Sequence, residues 1–328
     1  MLTKYLLVSL TGFLAGMIVV VLLKKFSLRH KILVKTGIPI IGGVAIGIAF
    51  FLASFLGLAP LASLHTPAAG IIVASFAILI FGIIDDFLEL SISAKFLMQI
   101  ISIAILIFFG VKTNIVGIGN IGNILVTFIW MLGITNSFNH LDVIDGVAGV
   151  VAITVGFAFF AVSLLNADFV SAVLSLSLAS VTFSFLVFNI PPAKVYMGNA
   201  GSHFLGFVLG AIALTISYAG LDNKVALLTP IVILGFPIID TTMLVFLRIS
   251  RKIFPFKKSN DHPALRFLAM GYSKRKALLV MFLWSLFFSF CGVAMSWVNN
   301  TLGAFIILIS VLAGLILFKI IRNAEVHG

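Results

Sequence analysis

The chain has 328 residues, of which 62% are hydrophobic and only 9% are charged, and its mean hydropathy is +1.27. A soluble globular domain carries about one charged residue in four, so this composition excludes that class, together with disordered chains, coiled coils and disulfide scaffolds. The single cysteine, Cys291, lies inside an apolar run and is expected to pack as a small hydrophobic residue. Since a membrane crossing takes about 20 apolar residues, we predict an all-α polytopic membrane protein.

Hydrophobic runs predict eleven transmembrane helices in a single membrane domain that covers residues 1–328. In chain order, the predicted spans are about 2–23, 38–57, 67–84, 96–111, 120–135, 147–166, 169–188, 203–219, 225–247, 276–298 and 302–321. The first run is too long for the apolar region of a signal peptide and is expected to stay as a span.

The formal net charge of +11 is explained by the distribution of basic residues between the two sides of the membrane. If the connections alternate between sides, 18 of the 21 Lys and Arg residues fall on one side, and the other side holds Lys4, Lys112 and Lys224. Basic residues mark the cytoplasmic side, so the N-terminus is predicted outside and the C-terminus inside. The charge therefore indicates orientation, and no nucleic-acid partner is expected. The longest polar connection, residues 248–276, is predicted to be a basic cytoplasmic loop or a short amphipathic helix at the membrane surface.

Acidic residues are scarce, and most are predicted to lie at the cytoplasmic face. The segment FGIIDDFLEL places Asp85 and Asp86 next to each other at the inner end of the third predicted helix. Adjacent carboxylates repel each other, so a divalent cation or a lysine such as Lys95 is expected to neutralise them. A solvated helix end is the alternative interpretation.

The segment NSFNHLDVIDG repeats a polar residue every three positions, at Asn139, Asp142 and Asp145. If the segment is helical, this spacing places all three on one face. The alternative is that Asp145 only caps the sixth helix.

The segment KVYMGNAGSHFLG is predicted to form a cytoplasmic turn that leads into the eighth helix, with Gly198, Asn199, Gly201 and Ser202 at its start. Free N–H groups at a helix start suit a phosphate or a metal-bound anion, although any tight turn uses Gly and Asn.

The segment KTGIPIIGG, at the predicted start of the second helix, places Lys35 where it could meet a phosphate. The alternative is a juxtamembrane lysine beside a packing pair of glycines. Together, these four segments put carboxylates able to hold Mg²⁺, a lysine and glycine turns on one face. Transfer of a phosphoryl group between a soluble nucleotide and a lipid needs such a set.

In this order the motifs resemble the polyprenyl-phosphate N-acetylhexosamine-1-phosphate transferases of glycosyltransferase family 4, which include phospho-MurNAc-pentapeptide transferase and the UDP-GlcNAc:undecaprenyl-phosphate GlcNAc-1-phosphate transferases. The resemblance runs from about Lys35 to Lys276. KTGIPIIGG is similar to the family segment that ends in Pro-x-x-Gly-Gly, and Asp85-Asp86 with Lys95 and Gln99 is similar to its Asp-Asp motif. NHLDVIDG resembles Asn-x-x-Asp-Gly-x-Asp-Gly, and FPIIDTTMLVFLRISR, with Asp240, resembles its Pro-x-x-Asp helix.

The chain departs from the family pattern at three places. The family's Met-Gly-Asp-x-Gly-Ser, whose Asp binds Mg²⁺, has Asn199 here, which keeps an oxygen ligand but loses the charge. His262 is the one histidine present of the family's His-x-His-His, and Val143 replaces the glycine after Asp142. Asp240 and Asp261 are candidates for a compensating carboxylate.

The resemblance implies transfer of a HexNAc-1-phosphate, most simply GlcNAc-1-phosphate, from a UDP-sugar to polyprenyl phosphate with release of UMP. It implies Mg²⁺, with Mn²⁺ as an alternative, bound by Asp85, Asp86 and Asn199. Asp85 and Asp86 would also activate the nucleophile, and Asn139, Asp142 and Asp145 would orient the nucleotide. Lys35 and His262 would contact the diphosphate. Lys95, Gly198 and Ser202 complete the predicted substrate-binding set.

The implied protein is a multi-pass protein of the inner (plasma) membrane with its active site on the cytoplasmic face, and a homodimer is one arrangement open to it. Three alternatives remain: a catalytically impaired family member that binds polyprenyl phosphate or nucleotide, a phospho-MurNAc-pentapeptide transferase, and an unrelated transporter.

Overall fold

The computed structural model describes residues 2–59, 66–218, 224–252 and 262–322, and they form an all-α bundle with one small hairpin. The helices are α1 (Leu2–His30), α2 (Gly42–Leu58), α3 (Thr66–Leu88), α4 (Ile92–Phe108), α5 (Gly119–Leu141), α6 (Val147–Leu165), α7 (Phe169–Asn189), α8 (Gly198–Thr215), α9 (Thr229–Ile233), α10 (Gly235–Ser250), α11 (Pro263–Ala269), α12 (Lys274–Met295) and α13 (Asn300–Arg322). The hairpin pairs β1 (Val34–Lys35) with β2 (Ile38–Pro39) in antiparallel fashion. The prediction of an all-α fold is confirmed.

Seven helices within the described ranges are long and apolar enough to cross a membrane, and a bent pair raises the number to eight. The seven are α1, α3, α5, α6, α7, α12 and α13. The bent pair joins Lys224–Ile233 to Gly235–Ser250 at an angle of 65°, within the ninth predicted span. Helices α2 and α4 have 17 residues each, a length of about 26 Å at 1.5 Å per residue. A helix therefore lies at each predicted span, although the eleven-span count goes beyond what length and composition support.

The second predicted span is wrong at its start, because residues 38–41 precede the helix instead of opening it. Thr36 and Gly37 both have positive φ, +50° and +81°, which is the backbone of a tight hairpin turn. Ile40 then forms a parallel bridge with Tyr196, and the Tyr196 amide donates to the Pro39 carbonyl at 2.8 Å. The hairpin is thereby attached to the segment that leads into α8.

Glycines let three helices meet at the start of α8. A Cβ added at Gly43 of α2 would lie 2.1 Å from the Gly201 amide nitrogen, and one added at Gly82 of α3 would lie 2.4 Å from the Ala200 Cα. Real Cβ atoms do not approach other heavy atoms so closely. Glycine at these two positions therefore holds α2 and α3 against the backbone of α8.

The centre of the bundle is formed by α7 and α8, whose buried residues run along most of their lengths. Beside this centre, a partly buried pair of amide side chains links α4 to α5. Gln99 of α4 and Asn136 of α5 exchange two amide hydrogen bonds of 2.8 and 3.3 Å. Such reciprocal pairs satisfy polar groups where no water is available.

Candidate active site

The residues singled out by their sequence motifs come together at one end of the bundle, which we call the polar end. It is formed by the C-terminal ends of α3 and α5 and by the N-terminal ends of α4, α6, α8, α11 and α12. Hydrogen bonds and ion pairs join α3 to α4 and α8, α5 to α8, and the turn between α5 and α6 to α12. A ring contact brings the residue before α11 to α5. These contacts bring the segments FGIIDDFLEL, NSFNHLDVIDG and KVYMGNAGSHFLG together, whereas their position on the cytoplasmic face stays a prediction.

Asp86 is held at the start of α8. Its Oδ1 accepts a hydrogen bond from the Asn199 amide at 2.7 Å, and its Oδ2 accepts one from the Ala200 amide at 3.0 Å. Gly198 makes room for the carboxylate, because its φ is +75° and an added Cβ would lie 2.6 Å from Asp86 Oδ2. The sequence suggested that this helix start could bind a phosphate or a metal-bound anion, whereas the anion found there is the carboxylate of Asp86 itself.

Asn139 joins α5 to the same helix start. Its Nδ2 donates to Asn199 Oδ1 at 3.2 Å and to Ser202 Oγ at 3.0 Å. Asn199 therefore presents its backbone to Asp86 and its side-chain oxygen to Asn139. The three residues form one connected polar group on three helices.

Asp85 points to a different set of partners. Its Oδ1 accepts a hydrogen bond from the Leu90 amide at 2.9 Å, and its Oδ2 lies 2.7 Å from Lys95 Nζ. Asp85 is only 2% exposed, and the cavity beside it has a volume of about 10 Å³, which holds one water molecule at most. A metal-binding role for Asp85 would require this ion pair to open.

Asp142 and Asp145 lie in the turn between α5 and α6. Since α5 ends at Leu141, Asn139, Asp142 and Asp145 do not share the face of one helix. Nor does Asp145 cap α6, whose N-cap is Gly146 with a left-handed backbone. The Gly146 amide donates to Asn189 Oδ1 at 2.8 Å, which anchors the turn to α7.

Charge is concentrated at this turn. Burial raises the pKa of Asp142 well above its usual range, and the nearby charges of Asp86 and Asp145 raise it further. Lys274 offsets part of the negative charge of Asp145, because the Lys274 Nζ lies 3.7 Å from the Asp145 Oδ2. A cation bound near Asp86 and Asp142 would lower the repulsion between these carboxylates.

His262 precedes α11 and faces α5. Its ring centroid lies 6.0 Å from that of His140, and His140 Nδ1 is 3.4 Å from Thr241 Oγ1 of α10. Asp240, next to Thr241, is 4% exposed. Lys35 lies in β1 with its side chain exposed, on the hairpin attached to the α8 entry. Asp261 and residues 253–261 of the predicted basic loop lie outside the described residues.

The donor chemistry of the polar end suits Mg²⁺. In the part of the chain that the structure describes, no three His, Cys, Asp or Glu side chains are placed to hold one metal ion. Mg²⁺ is commonly bound by one or two carboxylates together with substrate phosphates and water. Asp86, Asp142 and the Asn199 amide oxygen supply hard oxygen donors of that kind, and the residues therefore fit the ion.

Two further residues belong to the polar end, His140 and Lys274. His140 lies inside the NHLDVIDG segment, in the last turn of α5, where an ionisable residue at a helix end is itself a signal of function. In the sequence, Lys274 is one of several basic residues in the segment 248–276 and has no feature that sets it apart. Its partner, Asp145, is 129 positions away in the chain, a separation that no local pattern spans.

The chain matches one protein family and several named relatives in sequence. Residues 68–217 match the family model described as glycosyl transferase family 4. The chain is 33% identical over 280 residues to the probable undecaprenyl-phosphate N-acetylglucosaminyl 1-phosphate transferase of Bacillus subtilis, with 81% of this chain and 76% of that protein covered. It is 30% identical over 247 residues to the decaprenyl-phosphate N-acetylglucosaminephosphotransferase of Mycolicibacterium smegmatis, covering 67% of this chain and 61% of that protein.

A phospho-N-acetylmuramoyl-pentapeptide-transferase, from Streptococcus sanguinis, is 29% identical over 203 residues, which are 56% of this chain and 61% of that protein. The match to the Bacillus subtilis protein extends over most of both chains, and the matched family region includes Asp86, Asn139 and Asn199. The chain therefore belongs to glycosyl transferase family 4.

Proposed function

We propose that the protein is a phosphoglycosyl transferase that moves GlcNAc-1-phosphate from UDP-GlcNAc to a polyprenyl phosphate and releases UMP. The observation that carries the proposal is the connected group of Asp86, Asn199 and Asn139 at the polar end. The names of the two relatives with the longest matches described above specify N-acetylglucosamine and a prenyl phosphate, which favours this sugar over MurNAc-pentapeptide.

In the proposed reaction, an oxygen of the acceptor phosphate attacks the β-phosphorus of UDP-GlcNAc. The bond between that phosphorus and the bridging oxygen breaks, and UMP leaves with the bridging oxygen. A lipid phosphate is already anionic, so the residues have mainly to position two phosphates and to offset their repulsion. Lys35 and His262 are the proposed contacts for the diphosphate.

Asn139 is the proposed positioning residue for this step, since its amide fixes both the Asn199 and Ser202 side chains. The two α8 amides hold Asp86 in one orientation, so that its remaining lone pairs face a fixed direction. Bound beside Asp86, Asp142 and Asn199, Mg²⁺ would supply charge neutralisation for the diphosphate and the leaving UMP. Lys95 is proposed to keep Asp85 in place and thereby to position the end of α3.

We further propose the eleven-span topology, with the N-terminus outside and the polar end on the cytoplasmic side of the plasma membrane. The 18-to-3 distribution of Lys and Arg residues supports this orientation. Short helices such as α2 and α4 can be accommodated because local thinning of the bilayer relieves a small mismatch in length.

A catalytically impaired member that binds substrate without turnover is the second candidate. Asn199 in place of a carboxylate favours it, because the site then has one negative charge fewer for a divalent cation.

Release of UMP by the purified protein tests the proposal. We expect Mg²⁺-dependent UMP release from UDP-GlcNAc only when undecaprenyl phosphate is present, and a loss of at least about a hundredfold in Asp86→Asn, because that change removes charge at the site. Asp168→Asn is the matched control, since Asp168 lies at the start of α7, where it accepts a hydrogen bond from the Ser171 amide. Absence of UMP with every UDP-HexNAc and metal would contradict transfer, and saturable solute flux without UMP would indicate a transporter.

A further inference from the structure

His140 lies where three elements of the polar end meet. It is in the last turn of α5, and its ring centroid is 6.0 Å from that of His262, which precedes α11. Its Nδ1 is 3.4 Å from the Thr241 Oγ1 of α10. The ring is only partly buried, and the preceding residue, Asn139, contacts the start of α8. The reaction described above gives no role to this imidazole.

The Thr241 hydroxyl determines which nitrogen of His140 carries the proton. Among the described residues, His140 is the one hydrogen-bond partner of this hydroxyl. When the hydroxyl donates to Nδ1, a neutral imidazole carries its proton on Nε2. Within the same residues Nε2 forms no hydrogen bond, so it is a donor directed away from α10. At 3.4 Å the bond to Thr241 is at the long end of the range, and it orients the ring more than it stabilises it.

A buried cation lies near this donor. Arg248, in the last turn of α10, is 2% exposed, and its charge acts on His140. An N–H group beside a cation favours an anionic acceptor over a neutral one, because both attract the same negative charge. In the proposed reaction, the anion brought to the neighbouring His262 is the diphosphate of the sugar nucleotide.

We propose that His140 donates a hydrogen bond from Nε2 to the β-phosphate of UDP-GlcNAc, and that Thr241 positions the ring for this contact. The inference rests on the proposed function, to which it adds a substrate contact on α5 and a positioning residue on α10. His140 and His262 then hold the diphosphate from two different elements. No proton is transferred, since the imidazole keeps its Nε2 proton and only orients the phosphate for attack.

The binding of three nucleotides tests the contact without turnover. The Kd values of UDP-GlcNAc, UDP and UMP are measured by isothermal titration calorimetry on the purified protein with Mg²⁺ present throughout. We expect His140→Leu to raise the Kd of UDP-GlcNAc and of UDP by about tenfold or more. The Kd of UMP, which has no β-phosphate, should stay within about twofold of the wild-type value.

Two more variants test the donor and its orientation. His140→Gln can place an amide N–H near the position of Nε2 and should recover most of the lost affinity. Thr241→Val should raise the Kd of UDP-GlcNAc by only about threefold, because the hydrogen bond that it removes is long. The matched controls are His30→Leu, at an exposed histidine of α1, and Thr242→Val, at the exposed threonine that follows Thr241. Both controls should bind all three nucleotides as the wild type does.

Turnover and thermal unfolding separate a substrate contact from packing. The KM for UDP-GlcNAc in UMP release should rise with the Kd, while the Tm of His140→Leu stays within about 2 °C of the wild type. Equal losses of UMP and UDP-GlcNAc affinity, or a Gln variant no better than Leu, would overturn the proposal. Normal UMP release with unchanged Kd values in His140→Leu would overturn it and leave the function standing. Selective loss of UDP-GlcNAc and UDP affinity in a protein that releases no UMP would support the contact while the proposed function fails.

Discussion

Gly82→Ala should separate α3 from α8 and thereby disable the site. The added Cβ would lie 2.4 Å from the Ala200 Cα and 3.0 Å from its amide nitrogen. Since an ordinary contact is about 3.4 Å or longer, the helices must move apart by about 1 Å. Asp86 lies one turn further along α3, and its 2.7 Å bond to the Asn199 amide would lengthen to about 3.7 Å, beyond hydrogen-bonding distance.

The expected loss of stability follows from the overpacking and from the lost hydrogen bond. Overpacking costs about 1–3 kcal/mol, and a hydrogen bond to a charged group contributes about 1.5–3 kcal/mol. We therefore expect Gly82→Ala to lower the free energy of unfolding by about 3 kcal/mol and the Tm by about 5 °C or more. The kcat/KM for UMP release should fall by at least about tenfold, because Asp86 and Asn199 lose their common geometry.

Gly133→Ala provides the control on α5. An added Cβ at Gly133 would meet nothing within 4 Å, and replacing an interior helical glycine by alanine stabilises a helix by about 0.5–1 kcal/mol. Thermal unfolding in detergent, followed by intrinsic fluorescence, compares the two variants with the wild type. Equal Tm and kcat/KM for Gly82→Ala and Gly133→Ala would refute the argument that this close approach holds the site together.

Three further predictions concern the polar end. Asn199→Asp keeps the side-chain oxygen that accepts a hydrogen bond from Asn139 and adds a negative charge. In a Mg²⁺ titration of activity, half-saturation should therefore occur at a concentration about tenfold lower than in the wild type. An unchanged titration would exclude Asn199 as a ligand. Asn139→Ala removes both amide bonds to α8 and should lower kcat/KM by about 10- to 100-fold, whereas Asn166→Ala, which loses only a bond to the Val162 carbonyl, should leave it unchanged. Lys95→Met leaves Asp85 charged and buried, so the free energy of unfolding measured by chemical denaturation should fall by about 3 kcal/mol. Adding Asp85→Asn should recover most of that loss. No recovery would show that loss of the ion pair is not the cause.

Periodicity and composition placed a helix at each predicted span, because a segment that crosses lipid must satisfy its backbone polar groups internally and must be largely apolar. They did not fix the bounds, since the eighth span, predicted at about 203–219, runs from Gly198 to Thr215. They could not locate β1 and β2, since the apolar residues Ile38 and Ile40 continue into α2 without a break in hydropathy. The local signal for the hairpin is the Thr36-Gly37 pair within KTGIPIIGG, where both residues have positive φ. Residues 38–41 lie outside α2 because the backbone of Pro39 pairs with that of Tyr196, a residue distant in sequence.

The motifs indicate which residues belong to the candidate site, but they do not indicate which partners each residue contacts. Asp85 and Asp86 look equivalent in the sequence, yet one pairs with Lys95 and the other with the amides of α8. Successive residues of a helix point about 100° apart, so the two carboxylates had to face different neighbours. The identity of those neighbours depends on how α3, α4 and α8 pack, which no single-chain motif specifies.

The central claim is that a sugar phosphate, and not a sugar alone, is transferred to the prenyl phosphate at the polar end. UDP-GlcNAc labelled with ³²P at its β-phosphorus distinguishes these reactions when it is incubated with the purified protein, undecaprenyl phosphate and Mg²⁺. We predict that the label enters the lipid fraction while unlabelled UMP is released in equal amount, and that Asp86→Asn abolishes both. Label recovered in soluble UDP would mean transfer of the sugar alone and would contradict the account.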